Sequence, residues 1–140
     1  MGTPTPVRLS DPGWSHAVLD FWYRELQPPA WFTRDADVDD RIRQRFGGLV
    51  DEVGGAAVDD EMMASHLVRS AKTALAAVLV LDQFPRNIWR GTPEAFARDP
   101  QALAVSLRAI GLGFDRLLRR NERPWGLTPP NRPAGASAAS

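Results

Sequence analysis

The stretch that decides the fold is 74-ALAAVLVLDQFPRNIWRG-91. Its first half, residues 74–81, carries no polar side chain. An apolar run without a polar, solvent-facing side belongs in the interior of a protein. The run is too short to cross a membrane, which takes about 20 such residues. We therefore expect a buried central helix that leads directly into a polar segment, in which the polar residues are Asp82, Gln83, Arg86, Asn87 and Arg90.

The composition fits one domain with no overall attraction to nucleic acid. Hydrophobic residues make up 44% of the 140, and Lys+Arg and Asp+Glu balance at 17 each. A neutral chain has no global field for nucleic acid or an anionic membrane, so we expect neither as a partner. The chain has no cysteine, which fits a reducing compartment, and residues 1–10 lack the apolar core of a signal peptide. We expect a cytoplasmic protein.

Helical periodicity precedes the central run. Asp11 and Pro12 are typical of a helix start, and the first helix is expected to run to about Leu26. It carries an apolar stripe whose members are Trp14, Val18, Phe21, Trp22 and Leu26. Such a stripe indicates a core-facing side, and a ligand-binding aromatic face is the alternative.

A second helix is predicted from Asp37, with Asp39 and Asp40 placing negative charge at the positive end of the helix dipole. The pair 54–55, two glycines, is expected to end it. The central helix should begin near residues 59–61 and stop before Pro85, because proline interrupts a helix interior.

A last long helix begins at Asp99 and Pro100, with an apolar face formed by Leu103, Ala104, Leu107 and Ile110. Because no segment alternates like a strand, the predicted fold class is all-α, with stacked antiparallel helical hairpins. The expected organisation is a flexible N-terminus over 1–10, one helical domain over 11–123 and a low-complexity tail over 124–140.

Five segments together resemble a known family. They are LDFW at 19–22, WF at 31–32, RIRQRFGGL at 41–49, LDQFPRNIWRGTPEAFARDPQAL at 81–103 and GFDRLL at 113–118. Over about residues 17–123 the chain looks like the uncharacterised bacterial family called domain of unknown function 924, and LDQFPRN is the most specific of its motifs. The resemblance implies an α-α superhelix similar to tetratricopeptide-repeat proteins. It implies no activity.

The chain departs from the family pattern at two places. Where the family usually has phenylalanine before aspartate, this chain has valine at 38. After residue 123 the family continues through an aromatic residue, a Tyr-Met-Pro-like segment and His-Ser-Glu, for which residues 124–140 offer no counterpart. We therefore expect a C-terminally truncated or divergent member. The apolar face of its last helix would stay uncovered, so the chain is expected either to form a homodimer through that face or to be marginally stable and prone to aggregation.

The polar segment allows a structural and a functional interpretation. In the first, Asp82 pairs with Arg86 and fixes the end of the central helix. In the second, Arg86 and Arg90 face one concavity beside Gln83 and Asn87, where they bind a carboxylate or phosphate.

Three classes of function follow. The first is a binding module for a peptide or small anionic ligand, whose candidate residues are Asp82, Gln83, Arg86, Asn87, Arg90, Trp22 and Trp31. The second is a hydrolase-type enzyme that uses Asp20, Asp82 or Asp99, although no motif assembles these carboxylates. The third is a purely structural or interaction protein. We expect neither a metal nor a cofactor.

Overall fold

The structure, a computed structural model, describes residues 5–26, 36–114 and 116. Its helices are α1 (Trp14–Asp20, continued by π-helical turns over Phe21–Leu26), α2 (Ala36–Ala57), α3 (Asp60–Met62, continued by π-helical turns over Met63–Leu67), α4 (Ala71–Asp82), α5 (Phe84–Ile88) and α6 (Asp99–Gly111), with a 3-10 turn at Pro93–Phe96. These residues contain no strand. The predicted all-α class is confirmed, and the tetratricopeptide-repeat-like superhelix stays a prediction.

Helix α4 lies at the centre of the fold, as its apolar run predicts. It contacts α1, α2, α5 and α6. Within residues 74–81 every side chain except that of Val78 is buried. Burying one large aliphatic side chain contributes roughly 1.5 to 3 kcal/mol, and α4 buries Leu75, Leu79, Val80 and Leu81.

The central helix begins later than predicted. A single helix from residues 59–61 to Pro85 was expected, but α3 and α4 are separate and the chain bends by 115° between them. The hydroxyl of Ser70 accepts the Thr73 amide at 3.1 Å, and the Thr73 hydroxyl accepts the Ser70 amide at 3.1 Å. This reciprocal cap satisfies two amides at the start of α4 and gives the backbone an alternative to continuing α3.

We expect Ser70→Ala to lower the free energy of unfolding by about 0.5 to 2 kcal/mol, because the cap of the central helix is lost. Chemical denaturation measures the change. Ser65→Ala is the matched control, since Ser65 is exposed and its hydroxyl contacts only the neighbouring His66 ring among the described hydrogen bonds. Equal effects of the two substitutions would contradict the role of the cap.

Two other helix boundaries differ from the predictions. The glycines at 54–55 do not end α2, which continues to Ala57, and Gly54 is buried beside Leu81 of α4. Asp11 does not cap α1 either, because α1 starts at Trp14 and the Asp11 carboxylate accepts the Arg8 amide at 2.9 Å. Gly54 is thus a packing residue and Asp11 a turn residue. The local sequence pattern does not distinguish either role from that of a helix end.

The chain packs against the domain before residue 11, within the stretch expected to be a flexible N-terminus. Val7 and Leu9 are buried. The Val7 amide donates to the Arg45 carbonyl at 2.8 Å, and the Leu9 amide donates to the Glu52 carboxylate at 2.8 Å. Alternate apolar side chains thus anchor this segment to α2. The expected tail over 124–140 lies outside the described residues.

Four aromatic side chains form the centre of the core. Phe21 of the π-helical turns lies with its ring centroid 5.4 Å from that of Phe46 on α2, and Phe46 lies 4.9 Å from Phe84 on α5. Trp22 lies 6.0 Å from Phe84 and is 1% exposed. The described side chains of the stripe predicted on the first helix therefore form a core face.

None of the described helices is by itself long and apolar enough to cross a membrane. The arms over 60–67 and 71–88 reach that length and apolar character only when taken together, and they are bent by 115° relative to each other.

Candidate functional site

The polar segment after α4 is a tight junction between helices. α4 ends at Asp82, Gln83 lies between the helices, and α5 begins at Phe84. Pro85 occupies the first turn of α5, where the missing amide costs no helical hydrogen bond. The short α5 packs on α2, so the polar side chains that follow Pro85 reach the first turns of α2.

Asp39 of α2 joins the polar segment to the start of the domain. Its carboxylate accepts two hydrogen bonds from Arg90, from Nε to Oδ2 and from Nη2 to Oδ1, each at 2.9 Å. Oδ1 also accepts Nδ2 of Asn87 at 2.9 Å. The Asp39 side chain is 14% exposed, Asn87 is 8% exposed and Arg90 is 32% exposed. We call these three residues the Asp39 cluster.

The electrostatics of the Asp39 cluster favour the ionised pair. Burial alone would raise the pKa of Asp39, but the hydrogen bonds from Arg90 and Asn87 outweigh it and hold that pKa below its usual value. The same contact with Asp39 raises the pKa of Arg90, against the opposing effect of burial. Both groups are therefore charged and mutually paired at neutral pH.

Arg86 forms a second, more open cluster. Its Nη1 donates to the Asp82 side chain at 3.0 Å and also to the Asp82 carbonyl, and its Nη2 donates to Asp99 of α6 at 3.2 Å. The guanidinium carbon lies 4.8 Å from the ring centroid of Phe96, which is 57% exposed. Gln83 donates to the Asp82 carboxylate. Arg86 thus connects the end of α4 to the start of α6.

Arg98 makes a third connection, which sequence reasoning missed. It is 14% exposed, pairs with Asp51 of α2 at 3.0 Å and with Glu94 at 3.3 Å, and stacks 4.4 Å over the Trp89 ring. The residues involved are separated by up to 47 positions in the chain. Glu94 and Arg98 are four residues apart, but no local spacing could have paired Arg98 with Asp51.

The structure brings five of the seven candidate ligand-binding residues into these clusters. Asp82, Gln83 and Arg86 share the open cluster, whereas Asn87 and Arg90 belong to the Asp39 cluster. Trp22 lies in the core, and Trp31 lies outside the described residues. Because each arginine already holds a carboxylate of this chain, the geometry favours the structural interpretation of the polar segment over an anion site.

The three aspartates of the hydrolase alternative are only partly brought together. Asp82 and Asp99 share Arg86, while Asp20 pairs with Arg24 at 3.1 Å within the helical turns of the first element. One oxygen of Asp99, Oδ1, is buried without a hydrogen-bond partner. Among the described residues no three or more His, Asp or Glu side chains are grouped so as to hold a metal ion.

The outer face of α6 differs from the rest of the described surface because it exposes several large aliphatic side chains. α6 contacts α4 and α2, but the side chains that it buries are the small Ala102, Val105 and Ala109. The larger ones, whose face was expected to stay uncovered, point to solvent, with Leu103 58%, Leu107 59% and Ile110 53% exposed. We call Leu103, Leu107 and Ile110 the α6 stripe.

A shallow depression lies away from these residues, between the N-terminal segment, α2 and α3. Its lining includes Leu9, Glu52, Asp59, Met62 and His66. Its two carboxylates are already engaged, Glu52 by Arg8 and the Leu9 amide, and Asp59 by the Met62 amide. None of the predicted site residues lines it.

These observations define an all-α protein with an ion-paired helix junction and one exposed aliphatic helix face. The chain belongs to a family described as "Bacterial protein of unknown function (DUF924)", whose model matches residues 18–132. The match continues past residue 123, where the sequence resemblance was expected to end.

One solved structure is similar to this chain over most of its length. It is described as the structure of a protein of unknown function, ATU0120, from Agrobacterium tumefaciens, with 33% sequence identity and a TM-score of 0.64. The alignment covers 80% of this chain and 58% of that one, so this chain spans little more than half the length of its relative. No curated protein matches the sequence.

Proposed function

We propose that the protein is a binding module that takes an apolar, peptide-like partner on the α6 stripe. The observation that carries the proposal is the orientation of α6, which buries its small side chains and exposes its large aliphatic ones. A cytoplasmic location fits the cysteine-free composition and is part of the same proposal.

The energetic reason is the cost of leaving the stripe in water. Each large aliphatic side chain that stays exposed forgoes roughly 1.5 to 3 kcal/mol of burial. Three of them, one turn apart on one helix, form a contiguous apolar face of the kind that amphipathic helices use as docking surfaces. A partner helix that covers the stripe recovers this burial without rearranging the core.

The charge pattern supports a peptide more than a small anion as the ligand. Arg86 and Arg90, the cations of the anion-site hypothesis, are held by Asp82, Asp99 and Asp39. An incoming anion would have to displace a carboxylate that is already in place. The α6 stripe has no such competitor among the described residues.

Fluorescence anisotropy with labelled amphipathic helical peptides tests the proposal. The panel carries leucine at heptad a and d positions, and shuffled sequences of the same composition serve as negative controls. We expect the wild type to bind the amphipathic peptides, and Leu107→Glu to weaken binding about tenfold or more, because it puts a charge against the apolar partner.

Two variants separate the alternatives in this experiment. Val58→Glu is the matched control, because Val58 is 73% exposed but lies off α6, and it should bind as the wild type does. Arg86→Ala should also retain binding. If Arg86→Ala weakened binding while Leu107→Glu did not, the anion-site hypothesis would replace the proposal.

A further inference from the structure

The geometry points to a second copy of this chain as the partner that covers the α6 stripe, with two α6 helices packed antiparallel about a twofold axis. This inference rests on the proposed function, because it names the occupant of the same surface. The reasons are the composition of the face, its symmetry and the charges at its edge.

The face of α6 is free of charge over a wide sector. At about 100° per residue, the positions within about 60° of Leu107 are Pro100, Leu103, Ala104, Ile110 and Gly111, none of which has a polar side chain. The small residues at 104 and 111 allow a facing helix to approach closely. A face without charge has no group that could form an ion pair with a charged partner. It can pack on the same apolar face of a second copy of the chain.

The spacing of the α6 stripe suits a twofold antiparallel pair. With the axis midway between residues 103 and 110, Leu103 of one copy faces Ile110 of the other. The two Leu107 side chains then meet next to the axis. The antiparallel arrangement also sets the positive end of each helix dipole beside the negative end of the other.

The charges at the edge of the face are compatible with this pairing. A twofold axis brings the two Arg108 side chains to the same edge, where bare arginines would repel each other. Arg108 carries its own counter-ion, because its Nη2 lies 3.4 Å from Asp60, which is fully exposed. Two neutral Arg–Asp pairs therefore meet, and each Asp60 is free to contact either arginine.

The size of the interface predicts a weak dimer. A 13-residue helix is about 20 Å long and about 10 Å wide. The area that its face can bury is therefore well below the roughly 800 Å² per partner of a standard stable interface. We therefore expect a weak monomer–dimer equilibrium, populated at high protein concentration, rather than a permanent dimer.

Sedimentation velocity over a concentration series measures the equilibrium. We expect the wild type and Val58→Glu to shift from monomer toward dimer with concentration, and Leu107→Glu to stay monomeric. Circular dichroism of Leu107→Glu checks that it folds. A wild type that stays monomeric at hundreds of micromolar would overturn the inference.

Disulfide trapping tests the twofold arrangement. Because the chain has no native cysteine, an introduced cysteine is its only thiol. With oxidised glutathione as the oxidant, Leu107→Cys should form a covalent dimer at least tenfold faster than Val58→Cys, because only residue 107 lies beside the twofold axis. Equal rates would overturn the twofold arrangement. Peptide binding by a wild type that does not dimerise would leave the proposed function standing while the second copy is rejected.

Discussion

Phe84→Ala should lower the free energy of unfolding by about 3 to 5 kcal/mol, the range for removing a large aromatic side chain from a packed core. Phe84 is fully buried and contacts the rings of Phe21, Trp22 and Phe46, which come from α1 and α2. Its loss leaves a cavity where three elements meet. Because natural domains are stable by only about 5 to 15 kcal/mol, this substitution removes much of the margin.

Phe96→Ala is the matched control for this prediction. Phe96 lies in the same stretch of sequence but is 57% exposed, and its described ring contact is with the Arg86 guanidinium. We expect a loss below about 1 kcal/mol, the value of an exposed cation–π contact. Urea unfolding followed by tryptophan fluorescence measures both variants. A similar loss in both would mean that the aromatic cluster is not the centre of the core.

Asp39→Ala should cost about 2 to 3 kcal/mol, because it leaves the buried amide of Asn87 and the guanidinium of Arg90 without their acceptor. The neighbouring Asp40→Ala is the control. Asp40 is 55% exposed and pairs with Arg43 on the surface, so its loss should cost less than about 1 kcal/mol. An equal cost would show that the Asp39 cluster does not hold α5 to α2.

The contribution of Asp39 should also depend on pH. Its pKa is lowered in the folded state, so its stabilising effect is fully present above the unfolded pKa, about 4, and is lost as the pH falls through the folded value. The wild type should therefore exceed Asp39→Asn in stability near pH 7, and the difference should shrink below about pH 4.

The difference in free energy of unfolding between the wild type and Asp39→Asn isolates the contribution of Asp39, which the pH dependence of either protein by itself does not. Hydrogen bonding from Arg8 lowers the pKa of Glu52 too, so both proteins lose that contribution in the same acid range. A stability difference that stays constant from about pH 7 to about pH 2.5 would contradict the role assigned to the Asp39 carboxylate.

The sequence by itself determined the fold class, the buried central helix and the position of its polar end. These features depend on the side chains of neighbouring residues, and an apolar run such as 74–81 is buried in any compact arrangement. The pairing of Asp82 with Arg86 was predictable for the same reason, because residues four apart on a helical stretch are neighbours in space.

Only the tertiary structure decided the partners of the polar segment. Asp39 was interpreted as a helix-dipole charge, which its place near the start of α2 allows, but it binds groups 48 and 51 residues away. Such pairs form because α2 and α5 pack together, and no local spacing encodes that contact. The same contact turns Arg90 from a candidate ligand-binding cation into the partner of a partly buried carboxylate.

The orientation of α6 was also decided by its neighbours. Periodicity found a helix with apolar residues, but Leu103, Leu107 and Ile110 and the smaller Ala102, Val105 and Ala109 are two possible inner faces. Hydrophobicity alone favours burying the larger set. Packing against α4 and α2 selected the smaller one, because side-chain volume must fit the space between helices, and the larger side chains remain on the surface.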